Sequence, residues 1–150
     1  MIINLEIKKL NATEIDKFME LIDLFEDVFE MKNFKMPEKN YLEKLLSRDD
    51  FFVFVAILEN KVIGGLTTYT MRQYYSTKPL VYIFDLAVQR KMQRQGVGQK
   101  LIKAINDYSK EMGVEEVMVQ ADFVDDYAID FYRKTGGIAE SVIHFGYPLN

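Results

Sequence analysis

Glycines at positions 96 and 98, with Arg90, Lys91 and Arg94 upstream and Lys100 and Lys103 downstream, make a pattern able to hold an anion. Glycine lets the chain turn until successive N–H groups converge, and the first amides of a following helix have no intrahelical carbonyl to bond. A glycine turn beside a solvated basic face accounts for the same letters equally well. Asp85 is the second group of interest. It interrupts the apolar run Tyr82-Ile83-Phe84-Asp85-Leu86-Ala87-Val88, and a carboxylate enters such a strand with a hydrogen-bond partner or beside a wet cleft. Asp122, Asp125, Asp126 and Asp130 cluster farther on; they either attract cationic amines or cap a helix from a solvated loop. His144, the single histidine, has a side chain that titrates near neutrality, but a lone histidine in a terminal β run is more often a packed or rim residue.

Two familiar phosphate loops do not fit. Gly98-Gln99-Lys100-Leu101 lacks the hydroxyl residue that a P-loop uses for magnesium, and Leu101 stands where a dinucleotide loop needs its third glycine. The absence of cysteine excludes disulfides, thiolate metal sites and a cysteine nucleophile. One histidine leaves only an all-carboxylate metal site by composition, and no metal is expected. A net charge of −4 argues against a general nucleic-acid partner. With 150 residues, 49% of them hydrophobic and 28% charged, the chain reads as one soluble domain over 1–150. No apolar run approaches the ~18 residues of a membrane span, and no signal-like start is visible; a cytoplasmic protein without membrane partners is expected.

The elements that must position these groups follow from periodicity. Leu5 to Leu10 alternates weakly as a first strand. Asn11 and Thr13 are candidate caps for a helix whose apolar stripe is Ile15, Phe18, Met19, Ile22, Phe25 and Phe29. Glu26, Asp27 and Glu30 lie on its polar face. Pro37 suits the first position of a second helix carrying Tyr41, Leu42, Leu45 and Leu46. Phe51–Leu58 and Val62–Met71 read as a hairpin around Glu59-Asn60-Lys61, with Gly64-Gly65 marking a bulge or a close backbone approach. Leu80–Val88 is another strand. Val97, Leu101, Ile105, Tyr108 and Met112 share one face of a helix that Gly113 ends. A short strand over 116–121 follows, then a helix from Tyr127 to Thr135 capped by Asp125 or Asp126, and a last strand over Val142–Tyr147. The order β-α-α-β-β-β-α-β-α-β predicts an α/β (mixed α+β) fold, a central mixed sheet flanked by helices.

Gln93-Arg94-Gln95-Gly96-Val97-Gly98, set between that strand and that helix and followed later by Phe131-Tyr132-Arg133-Lys134, resembles the GNAT superfamily of acyl-coenzyme A-dependent N-acetyltransferases. Within it, Tyr82–Val88 and Val119-Gln120-Ala121-Asp122-Phe123-Val124-Asp125-Asp126 are similar to the class I aminoglycoside 3-N-acetyltransferases, as is the ending around Val142–Phe145. The likeness covers roughly Pro37 to Tyr147.

The resemblance implies acetyl-CoA as cosubstrate. Amides of Gln93, Arg94, Gln95, Gly96, Val97 and Gly98 would hold its pyrophosphate, and the backbone of Leu86, Ala87 and Val88 its pantetheine arm. It also implies Asp85 as the acid that binds the acceptor and takes its proton, and Tyr132 as the donor to the departing thiolate. Asp122, Asp125 and Asp126 are implied acceptor contacts, with the first-helix acids as candidates for an opposite wall. The expected reaction is acetylation of a cationic small-molecule amine, foremost the 3-amino group of an aminoglycoside. Polyamine or peptide acetylation and a non-catalytic acyl-CoA-binding role are the competing readings. Edge-strand logic leaves room for a homodimer.

Overall fold

The computed structural model describes residues 2–150, and two compact units divide the chain, one ending at Gln120 and the other running Ala121–Asn150. In the first unit, strand β1 (Glu6–Lys9) leads to helices α1 (Ile15–Val28) and α2 (Lys39–Leu46). Strands β2 (Phe51–Leu58), β3 (Lys61–Met71) and β4 (Leu80–Val88), helix α3 (Val97–Glu111) and strand β5 (Glu116–Val119) complete it. The strands lie in sequence order, antiparallel from β1 to β4, with β5 parallel to β4. The expected mixed sheet flanked by helices is present.

Alternation along β2 divides the core. Phe51, Val53, Val55 and Ile57 pack with Ile15, Phe18, Leu21, Leu24 and Phe25 of α1 and with Leu42 and Leu46 of α2. Phe52 and Phe54 turn the other way, their ring centroids 5.2 Å and 5.7 Å from that of Tyr108 on α3. A fully buried side chain such as Leu21 contributes about 1.5–3 kcal/mol by leaving water. Leu21 fits only because its neighbour across the interface is glycine. A Cβ on Gly65 would sit 2.6 Å from Leu21 Cδ1 and 2.7 Å from the Phe54 carbonyl oxygen, which is the close approach expected at Gly64-Gly65. The β2–β3 register also shifts between Ala56 and Ile57, so a bulge lies there as well.

Several local expectations are corrected. Neither Asn11 nor Thr13 caps α1; Glu14 holds that position, while Asn11 Oδ1 accepts from the Thr13 amide at 2.9 Å and Glu14 Oε1 from the Asn11 amide at 2.9 Å. These bonds build a turn before the helix. Pro37 precedes α2 because Glu38 is still extended, with ψ 143°. Lys61 already belongs to β3, leaving Glu59 and Asn60, both at positive φ (51° and 64°), as a two-residue turn. Met112 is 61% exposed where α3 ends. Gly113, at φ 76°, closes the helix, and the Val114 amide donates to the Ser109 carbonyl at 2.9 Å.

The second unit contains helix α4 (Asp126–Lys134), capped by Asp125, whose side chain accepts from the Ala128 amide at 3.1 Å. Gly136 (φ 99°) ends it, and the Gly137 amide donates to the Tyr132 carbonyl at 2.8 Å. The strand expected over Val142–Tyr147 does not form. A strand needs a neighbour to receive its backbone hydrogen bonds, and α4 is the sole regular element of this unit. His144 lies in this exposed segment.

Candidate active site

One extra residue in β4 sets the site. Tyr82 pairs with Tyr69 and Ile83 with Thr68, but Asp85 pairs with Thr67, so the register slips across Phe84. Strict alternation would send Asp85 to the α3 side of the sheet with Val81 and Ile83. The slip instead places it in the row Val53–Thr67–Asp85, on the α1 side. There its carboxyl is half-buried, and burial pushes its pKa from the ordinary 3.8 up to about 6. Bulges re-aim side chains in this way.

β4 and β5 also part company here. Their parallel pairing runs from Leu80–Glu116 to Ile83–Val119 and stops, whereas β4 continues to Val88 against β3. From Phe84 onward, the β5 side of β4 has left that ladder. Leu86, Ala87 and Val88 therefore lie on the splayed section.

The chain then makes a single 3₁₀ turn over Arg90–Met92 and enters α3. Two left-handed residues shape this loop, Arg94 at φ 62° and Gly96 at φ 86°. A Cβ on Gly96 would meet nothing within 4 Å, so the turn opens outward. Val97 opens α3 directly after Gly96, so the first amides of that helix follow the turn. Gln93 is engaged within the loop: its amide donates to the Arg90 carbonyl at 3.3 Å and its side chain to the Val88 carbonyl at 2.9 Å.

Arg90 points elsewhere than sequence reasoning expects. Its guanidinium donates to Asp27 Oδ2 at 3.0 Å, the Asp27 carbonyl at 2.7 Å and the Val28 carbonyl at 3.5 Å. It thus closes the last turn of α1, which has no basic residue of its own against the negative end of the helix. Asp23, Glu26, Asp27, Glu30, Met31 and Arg90 line an open depression of about 430 Å³ beside it. Lys103 is likewise taken up, by Asp107 at 2.5 Å. Lys91 and Lys100 are exposed. The sequence offered no signal for the Arg90 contact, because its partners lie more than sixty residues away.

In the second unit, Asp122, Asp125 and Asp126 are exposed. The Asp122 carbonyl accepts from the Asp125 amide at 2.9 Å, and the Asp125 side chain is the α4 cap. Tyr132 lies half-buried on α4, its ring centroid 5.2 Å from that of Phe131. Among the described residues no group of three or more acids or histidines is placed to hold a metal ion, and no helix is long and apolar enough to cross a membrane.

Comparison with known proteins identifies the lineage. Residues 18–137 match the "Acetyltransferase (GNAT) family". An aminoglycoside acetyltransferase from an uncultured soil metagenomic sample, solved with trehalose, is 57% identical, with a TM-score of 0.96 over 97% of both chains. The structure of that enzyme with sisomicin gives 56% identity and the same TM-score and coverage. N-alpha-acetyltransferase 30 of Schizosaccharomyces pombe is 28% identical over 85 residues, 57% of this chain and 56% of its own. The chain spans less than two thirds of the length of the curated relatives it matches.

Proposed function

The chain belongs to the GNAT acetyltransferase family, and from that premise we propose that it moves the acetyl group of acetyl-CoA onto an amine of an aminoglycoside, at the 3-amino position. The observation that carries this reading is the β4 bulge. It sets a carboxyl with a pKa of about 6 beside the splayed end of the strand. The similarity to an aminoglycoside acetyltransferase solved with sisomicin supports the acceptor class. The family match over residues 18–137 runs across Gln120 and supports reading the chain as a single acetyltransferase domain.

Bound acetyl-CoA supplies an activated thioester. The residues that would hold it have suitable chemistry. Amides of Arg94, Gln95, Gly96, Val97 and Gly98 at the open turn bind the pyrophosphate, and Gln93 braces the turn against Val88. The backbone of Leu86, Ala87 and Val88 offers hydrogen bonds to the pantetheine amides. Asp85 binds the acceptor ammonium and takes its proton. The task is real, since an alkylammonium with a pKa near 10.4 is neutral about once in a few thousand molecules at pH 7. Asp85, ionised in about nine molecules of ten at that pH from a value of about 6, is a stronger base than an ordinary carboxylate. Family resemblance supports Tyr132 as the hydroxyl that donates to the departing thiolate, and Asp122, Asp125 and Asp126 as attractors of further ammonium groups.

The deciding experiment is thiol release from acetyl-CoA by purified protein with gentamicin, spermidine, a lysine peptide and simple amino sugars, followed by mass and NMR analysis of the product. Gentamicin acetylated at its 3-amino group is the expected result. Efficient turnover of the peptide alone would transfer the assignment to a protein or peptide amine, the reading that similarity to N-alpha-acetyltransferase 30 favours.

A further inference from the structure

We propose that Phe84 and Tyr69 form an aromatic wall that binds a saccharide ring of the acceptor and so delivers its amine to Asp85. The proposal deepens the acetyltransferase reading and rests on it for the role of Asp85.

Consecutive residues of a regular strand point to opposite faces. At the β4 bulge this fails in a useful way. Phe84 and Asp85 both lie on the α1 side: Asp85 through its pairing with Thr67, and Phe84 through its ring contacts with Tyr69 and Tyr82, whose own pairing belongs to the row Phe51–Tyr69–Tyr82. An aromatic ring and a carboxyl with raised pKa therefore adjoin on one surface. On this face α1 covers Phe51 and Val53, with Phe51 centred 5.8 Å from Phe18. The cover thins across the row itself, from β2 to β4: Phe51 is buried, its partner Tyr69 is 36% exposed, and Phe84 beyond it on β4 is 58% exposed.

The two rings adjoin, so together they present one contiguous apolar surface beside the carboxyl. The Phe84 ring is not loose. Phe84 meets Tyr69 at 5.8 Å and 83° and Tyr82 at 6.3 Å and 79°, edge-to-face geometries that fix it in place and lower the entropy lost on binding. The matching occupant has both an apolar C–H face and cationic substituents. The C–H face lies on the aromatic quadrupole, an ammonium gains from the ring and from the carboxylate, and an amino sugar combines all three. A linear polyamine has the charges without the ring. Phe84 is thus a specificity-determining residue that separates cyclic amino sugars from flexible amines of equal charge.

The chain contains no tryptophan, so Phe84→Trp keeps an aromatic surface and adds a single fluorophore. Gentamicin should shift its emission saturably, and spermidine at equal ionic strength should not. Phe84→Ala should weaken gentamicin binding, measured by calorimetry, by about tenfold. Its acetyl-CoA affinity should stay near wild type, and its melting temperature should fall only by the few degrees that two half-exposed ring contacts contribute. Unchanged gentamicin affinity in Phe84→Ala, an equal response of Phe84→Trp to spermidine, or no saturable gentamicin binding by wild type each overturns the proposal. The titration uses no acetyl-CoA. Absence of thiol release with every amine would therefore sink the acetyltransferase reading while the wall is still decided by binding.

Discussion

Asp85 faces Thr67 across the β3–β4 ladder although Ile83, two residues earlier, faces Thr68, so one residue, Phe84, is left over between two adjacent pairs. The slip moves a carboxyl from the core beneath α3 to the α1 side of the sheet, at the point where β5 leaves β4. A register defect and a strand splay thus coincide at the residue with the proposed proton-transfer role.

The raised pKa of Asp85 makes two pH effects expected. In the folded chain its protonated form is favoured up to about pH 6, against 3.8 for an ordinary aspartate. Its ionisation therefore opposes folding: the stabilisation is complete below about 4 and is lost as pH rises through about 6. Asp85→Asn should remove that fall in a denaturation series. In kinetics, kcat/KM for the wild type should rise with an apparent pKa near 6 as the base forms. Asp85→Asn should lose that limb and about 10²–10⁴-fold in rate. A variant retaining the same limb would exclude Asp85 as the base.

Gly96 at φ 86° tests the cosubstrate turn. A valine there faces open space, so the penalty is conformational, about 1–2 kcal/mol for a left-handed L-residue. Relief of that strain would flatten the turn. Gly96→Val should stay folded and lose acetyl-CoA affinity in calorimetry; equal affinity would place the pyrophosphate elsewhere.

Much of the framework was legible because it rests on local periodicity. The apolar spacing of Val97, Leu101 and Ile105 marks α3, and all three are buried. Even the bulge has a trace in the sequence. Val81 and Ile83 alternate by two, the next residues of that phase are Leu86 and Val88, and the step of three between 83 and 86 marks the extra residue. Long-range contacts leave no such trace. Nothing near Arg90 announces Asp27, and the β-prone letters of Val142–Tyr147 carry no information about whether a partner strand is present.

The Arg90–Asp27 contact should act on positioning. Arg90 bonds the carbonyls that end α1 while its own backbone begins the turn leading to Gly96. Arg90→Ala should loosen that turn and raise the acetyl-CoA dissociation constant a few-fold, a modest effect because the pair is exposed. Lysine at this position should restore only part of it, since an ammonium lacks the planar fork that reaches Asp27 Oδ2 and its carbonyl together. An unchanged dissociation constant in Arg90→Ala, with hydrogen exchange of the loop also unchanged, would confine Arg90 to capping α1.

Gly65→Ala is the stability test of the sheet–helix interface. The new methyl would lie 2.6 Å from Leu21 Cδ1 and 2.7 Å from the Phe54 carbonyl oxygen, and a backbone oxygen in a paired strand has little room to yield. Overpacking of this kind costs about 1–3 kcal/mol. Chemical denaturation should show a lower midpoint with unchanged slope. A neutral result would mean that α1 can move off the sheet without loss.

Asp125 and Asp126 separate charge from capping. Asp125 accepts the Ala128 amide as the α4 cap, so alanine there removes both a structural bond and a charge, and about 0.5–2 kcal/mol of helix stability with them. Asparagine retains the cap and removes only the charge, because the two residues cap comparably well. If these carboxylates draw in a polycationic acceptor, Asp125→Asn and Asp126→Asn should raise KM for gentamicin more than for a monoamine. Their melting temperatures and acetyl-CoA affinity should stay near wild type. The gentamicin effect should shrink as salt screens exposed charges over a Debye length of ~8–10 Å. Loss of activity in Asp125→Ala with wild-type behaviour in Asp125→Asn would assign the residue to holding α4 in shape and leave acceptor attraction to Asp126 and its neighbours.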